Sequence, residues 1–232
     1  MVKVLNYEES KLLNPKLFEV YGDSIWEGIK LLDGIKEKSN YLKFVGYNLD
    51  NLESPIYIFK ENVSKNHIAV KICGRYQDWD LNHNIKSLIS DIDKPDFVII
   101  DNDTKVIILA GETTDTIPLG NSELQRKGRV VVAAKQKIPF LFKCPGSHFD
   151  DSKLSAANRA AGKRGQPRYI MPYSVIFHFL LSIRYKTPSL LFLQQNDQSD
   201  KALNINIDNS NEKNFYNYIS LSFLSTLSDV KD

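Results

Sequence analysis

Apolar and polar positions alternate in short runs, some with the two-residue period of strands and some with the 3.6-residue period of helices. Behind Pro15, the residues Leu17, Val20, Tyr21, Ile25, Ile29 and Leu32 recur at helical spacing, which predicts a helix over residues 14–39. Compact apolar runs at 41–45, 56–60 and 67–73 predict strands. Leu81, Ile85, Leu88 and Ile89 predict a short helix over 80–92, which Pro95 stops while forcing an extended entry into the next strand. Two apolar runs, 97–100 and 106–110, flank the turn-forming Asp101-Asn102-Asp103 and predict a β-hairpin. Asn121 is a good N-cap for a helix reaching about 137, with Leu124, Gly128, Val131 and Val132 on one stripe and Asn121, Gln125 and Arg129 on an adjacent polar stripe. A strand at 138–144, a buried helix at 172–185 (Val175, Ile176, Phe179, Leu180, Ile183), a strand at 189–193 and a closing helix at 212–227 complete the pattern. The polar tract between the last two carries a weak strand at 203–207.

A chain of 232 residues that is 42% hydrophobic and 25% charged can bury a proper core, and no linker or repeat divides it, so a single domain over 1–232 is expected. No apolar run approaches the length of a membrane span, which predicts no membrane partner. The first residues lack the features of a signal peptide, and two cysteines make no disulfide framework, so the cytoplasm is the expected compartment. Charge changes the picture more than composition does. The net charge is +2, yet residues 121–171 hold eleven basic side chains against three acids, a local balance of +8. That asymmetry is the footprint of a protein that meets phosphates on one face.

The chemistry concentrates at the hairpin. Asp96 opens its first strand and Glu112, sixteen positions on, closes its second, so antiparallel pairing brings the two carboxylates side by side. Two converging carboxylates suit Mg²⁺, which keeps several waters and takes few protein ligands. Pro95-Asp96, a hairpin, and then Glu112-Thr113-Thr114 resemble the PD-(D/E)xK nucleases over about residues 80–145. The resemblance implies an α/β fold whose restriction-endonuclease-like core is a helix, a three-stranded meander, a second helix and a fourth strand, with a mixed central sheet flanked by helices. It further implies a type II restriction enzyme-like, sequence-specific endonuclease that hydrolyses double-stranded DNA with Mg²⁺, held by Asp96, Glu112 and the Thr113 carbonyl. One departure is plain: Thr114 stands where the family pattern has lysine. Gln125, Lys127 or Arg129 on the following helix are the candidates for the missing donor or cation, and Thr114 or Gln125 for orienting water or phosphate. Glu27 is either an accessory metal ligand or a solvated helix-face charge.

Candidate DNA contacts are Arg75, Arg126, Arg129, Arg159, Lys163, Arg164, Gln166 and Arg168. Arg75 opens a polar, aromatic loop (75–79) that reads base edges, or plugs the core edge with Tyr76 and Trp79. The Gly- and Arg-rich stretch 148–169 is expected as a mobile arm on a phosphate backbone with Gln166 at a base, or as a solvated loop. Cutting both strands leads to the expectation of a homodimer on a palindromic site. Two other functions stay open: a different nuclease on the same core, acting in repair or on junctions or RNA, and a DNA-binding relative without catalysis. Cys144 and His148 lack the further ligands zinc requires, and no Walker A, G-x-S-x-G or G-x-G-x-x-G motif occurs.

Overall fold

The central strand of the molecule, β2 (Lys16–Gly22), lies where the helical spacing of Leu17, Tyr21 and Ile25 predicts a helix. The reason is burial on both sides. Phe18 and Val20 pack toward one core and Tyr21 toward the other, so apolar residues fall on both faces and the run carries no simple strand period. Only the second half of the expected helix is helical: α2 (Ile25–Lys38), which buries Leu31, Leu32 and Ile35. The computed structural model describes every residue except 1–2, 23, 52–53, 76–82, 93, 116, 118–120, 171, 196–209 and 229–232. The expected loop at 76–79, the start of the helix at 80–82 and the weak strand at 203–207 therefore lie outside the described residues.

The fold is mixed α/β. A nine-stranded mixed sheet runs in the order β1-β3-β4-β5-β2-β6-β7-β8-β11. Its strands are β1 (Val4–Leu5), β2, β3 (Leu42–Asn48), β4 (Ile56–Glu61), β5 (His67–Arg75), β6 (Phe97–Asp101), β7 (Ile107–Thr113), β8 (Phe140–Pro145) and β11 (Ser189–Gln194). A short helix, α1 (Tyr7–Leu12), follows β1. The strands predicted at 41–45, 56–60, 67–73, 138–144 and 189–193 are present as β3, β4, β5, β8 and β11.

One face of the sheet is covered by α2 and α7 (Ser210–Ser228), around Phe18, Phe59, Phe97, Phe215 and Phe223. The other is covered by α3 (His83–Asp91), α4 (Asn121–Lys135) and α6 (Pro172–Tyr185), around Ile92, Val98, Ile100, Val130 and Phe140. Strands β2, β6 and β7 form an antiparallel meander, and α4 then crosses over to β8, which is parallel to β7. From β6 onward the elements follow the expected order, but the meander is not consecutive in the chain. Its first strand is β2, separated from β6 by α2, β3–β5 and α3.

Two further segments differ from expectation. Residues 148–169 are a folded ribbon in which β9 (Ser147–Asp150) pairs antiparallel with β10 (Gln166–Tyr169), with a 3₁₀ turn (Asp151–Lys153) and α5 (Ala156–Ala160) at its tip. Local acids supply the order that apolar periodicity does not: Asp150 pairs with Arg168 at 3.4 Å, and Asp151 pairs with Arg164 and accepts the Gly165 N–H. Helix α6 forms where predicted but is not buried all round. Ser174, His178 and Leu181 face inward, while Val175, Ile176, Phe179, Leu180 and Ile183 are exposed.

Candidate active site

The register of β6 and β7 sets the site. Phe97 pairs with Gly111, Val98 with Ala110 and Ile99 with Leu109, so the next opposed positions are Asp96 and Glu112. Side chains at opposed positions of an antiparallel pair leave the same face and stand about 5 Å apart at Cβ. Asp96 is fixed by its Oδ2, which accepts the Thr113 N–H at 2.7 Å. Two glycines allow the strands to close around it. A Cβ on Gly111 would overlap the Phe97 ring and lie 2.8 Å from the Leu141 carbonyl. A Cβ on Gly22 would lie 2.8 Å from the Asp96 carbonyl and 3.1 Å from Glu27 Cβ. Glu27 thus stands at the back of the Asp96 backbone, on the α2 side of the sheet.

Glu112 is 1% exposed and is met from α4 by two guanidinium groups. Arg129 Nη1 donates to Oε1, and Arg126 Nε lies 3.5 Å from Oε2. Oε2 itself accepts no hydrogen bond among the described residues, and neither does Arg126 Nη1 donate one. Burial pushes the Glu112 carboxyl up and the Asp96 charge pushes the same way; Arg129 and Arg126 pull it back, leaving it at about 7. Such a perturbed carboxylate beside a second one is a mark of a functional site.

Of the predicted polar stripe of α4, Arg129 reaches Glu112, while the side chain of Asn121 lies outside the described residues. Gln125 lies on the same helix, one turn earlier, but its side chain is outside the described residues, as is that of Arg75. Lys127 turns away onto α6, with Nζ 4.1 Å from the centroid of the Tyr173 ring. Thr114 continues the pairing of β7 by donating its N–H to the Lys143 carbonyl at 2.9 Å. Arg126 and Arg129 are therefore turned inward. In the ribbon, Arg159, Lys163 and Gln166 are exposed, whereas Arg164 and Arg168 are engaged by Asp151 and Asp150.

The ribbon leaves the sheet at the end of β8, beside the end of β7 that carries Glu112 and Thr113. His148 at its base accepts the N–H of Ile117 on Nδ1 at 3.3 Å, and burial lowers its pKa, which keeps that nitrogen free to accept. The acids and the basic ribbon therefore share one end of the sheet.

Lys143 is a residue that counts in the sequence only as charge. It pairs in register with Thr113 on the opposite face of the sheet, 3.2 Å from the Tyr216 hydroxyl and 3.5 Å from Glu212. With Glu27, Lys30, Thr113, Thr114 and Asp115 it lines a cavity of about 590 Å³. A single lysine inside the otherwise apolar Phe140–Pro145 run is the signal that points to it.

The donor set fits a hard divalent cation in kind: two carboxylates from adjacent strands, one with an oxygen that accepts no hydrogen bond, beside a strand-end carbonyl. Among the described residues no group of three or more His, Cys, Asp or Glu side chains converges, so the remaining positions would fall to water and substrate oxygens. No helix among the described residues is long and apolar enough to cross a membrane. Comparison with protein-family models, with curated proteins and with solved structures gave no match.

Proposed function

We propose that this chain is a Mg²⁺-dependent endonuclease of the PD-(D/E)xK kind that cuts double-stranded DNA at a specific sequence, working in the cytoplasm as a C₂ dimer on a palindromic site. The observation that carries the reading is the β6–β7 register, which sets Asp96 opposite Glu112 at the sheet end from which a basic ribbon projects.

Asp96, Glu112 and the Thr113 carbonyl would hold the cation, and a divalent ion there polarises the scissile phosphate and acidifies a bound water. The Thr113 amide holds the Asp96 carboxylate in one orientation. Arg129 stands in for the lysine that Thr114 replaces, and with Arg126 it meets the negative charge that builds on the phosphate oxygens. Thr114 and Gln125 orient water or phosphate around that charge. Lys127, held on Tyr173, adds to the positive field without touching the reacting atoms. Arg159 and Lys163 track the phosphate backbone, and Gln166 reaches a base edge.

The same geometry favours one second reading. Two guanidinium groups already neutralise Glu112, which is how a DNA-binding relative that has lost catalysis would keep its buried acid. Incubating the protein with plasmid and Mg²⁺ separates the two. Discrete fragments support the site-specific enzyme, a smear indicates a less selective nuclease, and tight binding without cutting supports the second reading. Asp96→Asn, which keeps an acceptor for the Thr113 amide, and Glu112→Gln should each abolish cutting while leaving DNA binding. Cutting by either variant overturns the site.

A further inference from the structure

Helix α6 turns Ser174, His178 and Ser182 inward and a row of large apolar side chains toward solvent, the reverse of the arrangement that suits a free surface helix. Val175, Ile176, Phe179, Leu180 and Ile183, at i, i+1, i+4, i+5 and i+8, are between 46% and 64% exposed. Tyr173, 47% exposed, extends the patch at the start of the helix. The inward side is accounted for by Leu181 and by His178, whose Nδ1 lies 2.9 Å from the Ser189 hydroxyl. At 14 residues the helix is too short to span a bilayer.

The patch is at the upper end of the size range for a monomer. With large side chains of roughly 200 Å² half exposed, it amounts to on the order of 600 Å² of apolar surface, the size that often marks a contact site. Two such patches face to face would bury about 1,200 Å², the lower end of the range for stable protein interfaces. Its composition points to itself as the occupant. From Pro172 to Ile183 the helix carries no charged residue, so it offers nothing to complement a charged partner. The stripe is also balanced about Phe179, four residues from Val175 and four from Ile183. Two copies packed antiparallel therefore set Phe179 beside its counterpart and Val175 against Ile183, as an isologous interface requires.

We infer that the exposed face of α6 is the contact through which two copies of this chain associate, antiparallel about a two-fold axis near Phe179. The interface stands on the patch alone; its use in cutting both strands of a palindrome rests on the nuclease reading.

Sedimentation of the full chain between about 1 and 100 µM tests it. The expected mass is that of two 26.5 kDa chains. Phe179→Glu and Ile183→Glu should each weaken association at least 100-fold with unchanged circular dichroism, because both positions are already exposed in the single chain. Trp26→Glu, at a comparably exposed site on α2, should leave association unchanged. A short bis-maleimide should link Phe179→Cys chains in pairs. The unsubstituted chain, with Cys73 half-buried and Cys144 buried, should stay unlinked. A wild-type mass of one chain at 100 µM overturns the inference, whatever else binds the face. A dimer that the α6 substitutions leave intact, or one that links through Val175→Cys and not through Phe179→Cys, overturns it too. The two ideas fail separately: a monomer that cuts plasmid removes only the interface, and a dimer that does not cut removes only the activity.

Discussion

The two faces of the sheet are built to different standards. Under α2 and α7 the core is largely aromatic, with Phe18, Phe59, Phe97, Phe215 and Phe223 each 0–2% exposed and the Phe18 and Phe223 rings 4.8 Å apart, and the cavity lined by Glu27 and Lys143 opens at its edge. Under α4 and α6 the core admits a buried glutamate with two arginines and a buried histidine on a serine, and its outer helix is bare on one side. Polar groups cost free energy to bury, and both faces bury some: Asp101 is paired with Lys16 beside Phe18 on the aromatic face, while Glu112 is met by two arginines on the other. The aromatic face packs α2 and α7 onto the sheet; the other face carries Glu112 and its two arginines.

That contrast can be broken most sharply at Asp96. Asp96→Asn should lower plasmid cleavage at least 1,000-fold while shifting the unfolding midpoint by less than 1 kcal/mol equivalent, since the Thr113 N–H keeps an acceptor. Phe215→Ala should do the reverse. Emptying the space against Phe97, Phe192 and Tyr216 is expected to cost about 4 kcal/mol in urea unfolding, with DNA affinity per folded molecule unchanged.

An intermediate effect belongs to pH. Burial drives the His178 pKa down from 6.5 to about 4, with the Lys127 charge pushing the same way. The unfolded chain therefore takes up the proton first as the solution is acidified. Stability tied to the neutral ring is complete above pH 6.5 and drains away toward pH 4, on the order of 3 kcal/mol in all. Urea unfolding at pH 7 and pH 4.5 should reveal the loss, and His178→Gln should flatten this part of the slope. An unchanged slope in that variant would place the pH sensitivity elsewhere. The smallest effect expected is at the ribbon tip. Arg159→Ala and Lys163→Ala should each weaken binding to every DNA sequence alike and reduce the salt slope by about one, which titrations at several salt concentrations would read. A flat salt response in the parent protein would remove the ribbon from the DNA contact.

Much of the candidate site was legible in the chain because its signals are local. Pro95, the turn residues 101–103 and two apolar runs specify a hairpin, and antiparallel pairing then opposes Asp96 and Glu112 without further information. The four-residue step from Gln125 to Arg129 likewise aims an arginine at the acid. Where the sequence misleads, the deciding forces are distant. Leu17, Tyr21, Ile25 and Ile29 stand four apart by coincidence, and only burial on both sides makes 16–22 a strand. The ribbon is ordered by Asp150 and Asp151 reaching 13 to 18 residues ahead, a partnership no apolar pattern records. For α6, apolar composition implies burial, and among the described residues its Val175–Ile183 flank is exposed.

Gly111 sits between the aromatic layer and the acid next to it in the chain, with the Phe97 ring in the space where a side chain would go. One added methyl there would wedge β6 from β7 and change the spacing of Asp96 and Glu112 without altering a single ionisable group. The separation of the carboxylate pair is thereby written into a residue that has no chemistry of its own, so position 111 acts as a mechanical dial on the geometry of the two acids.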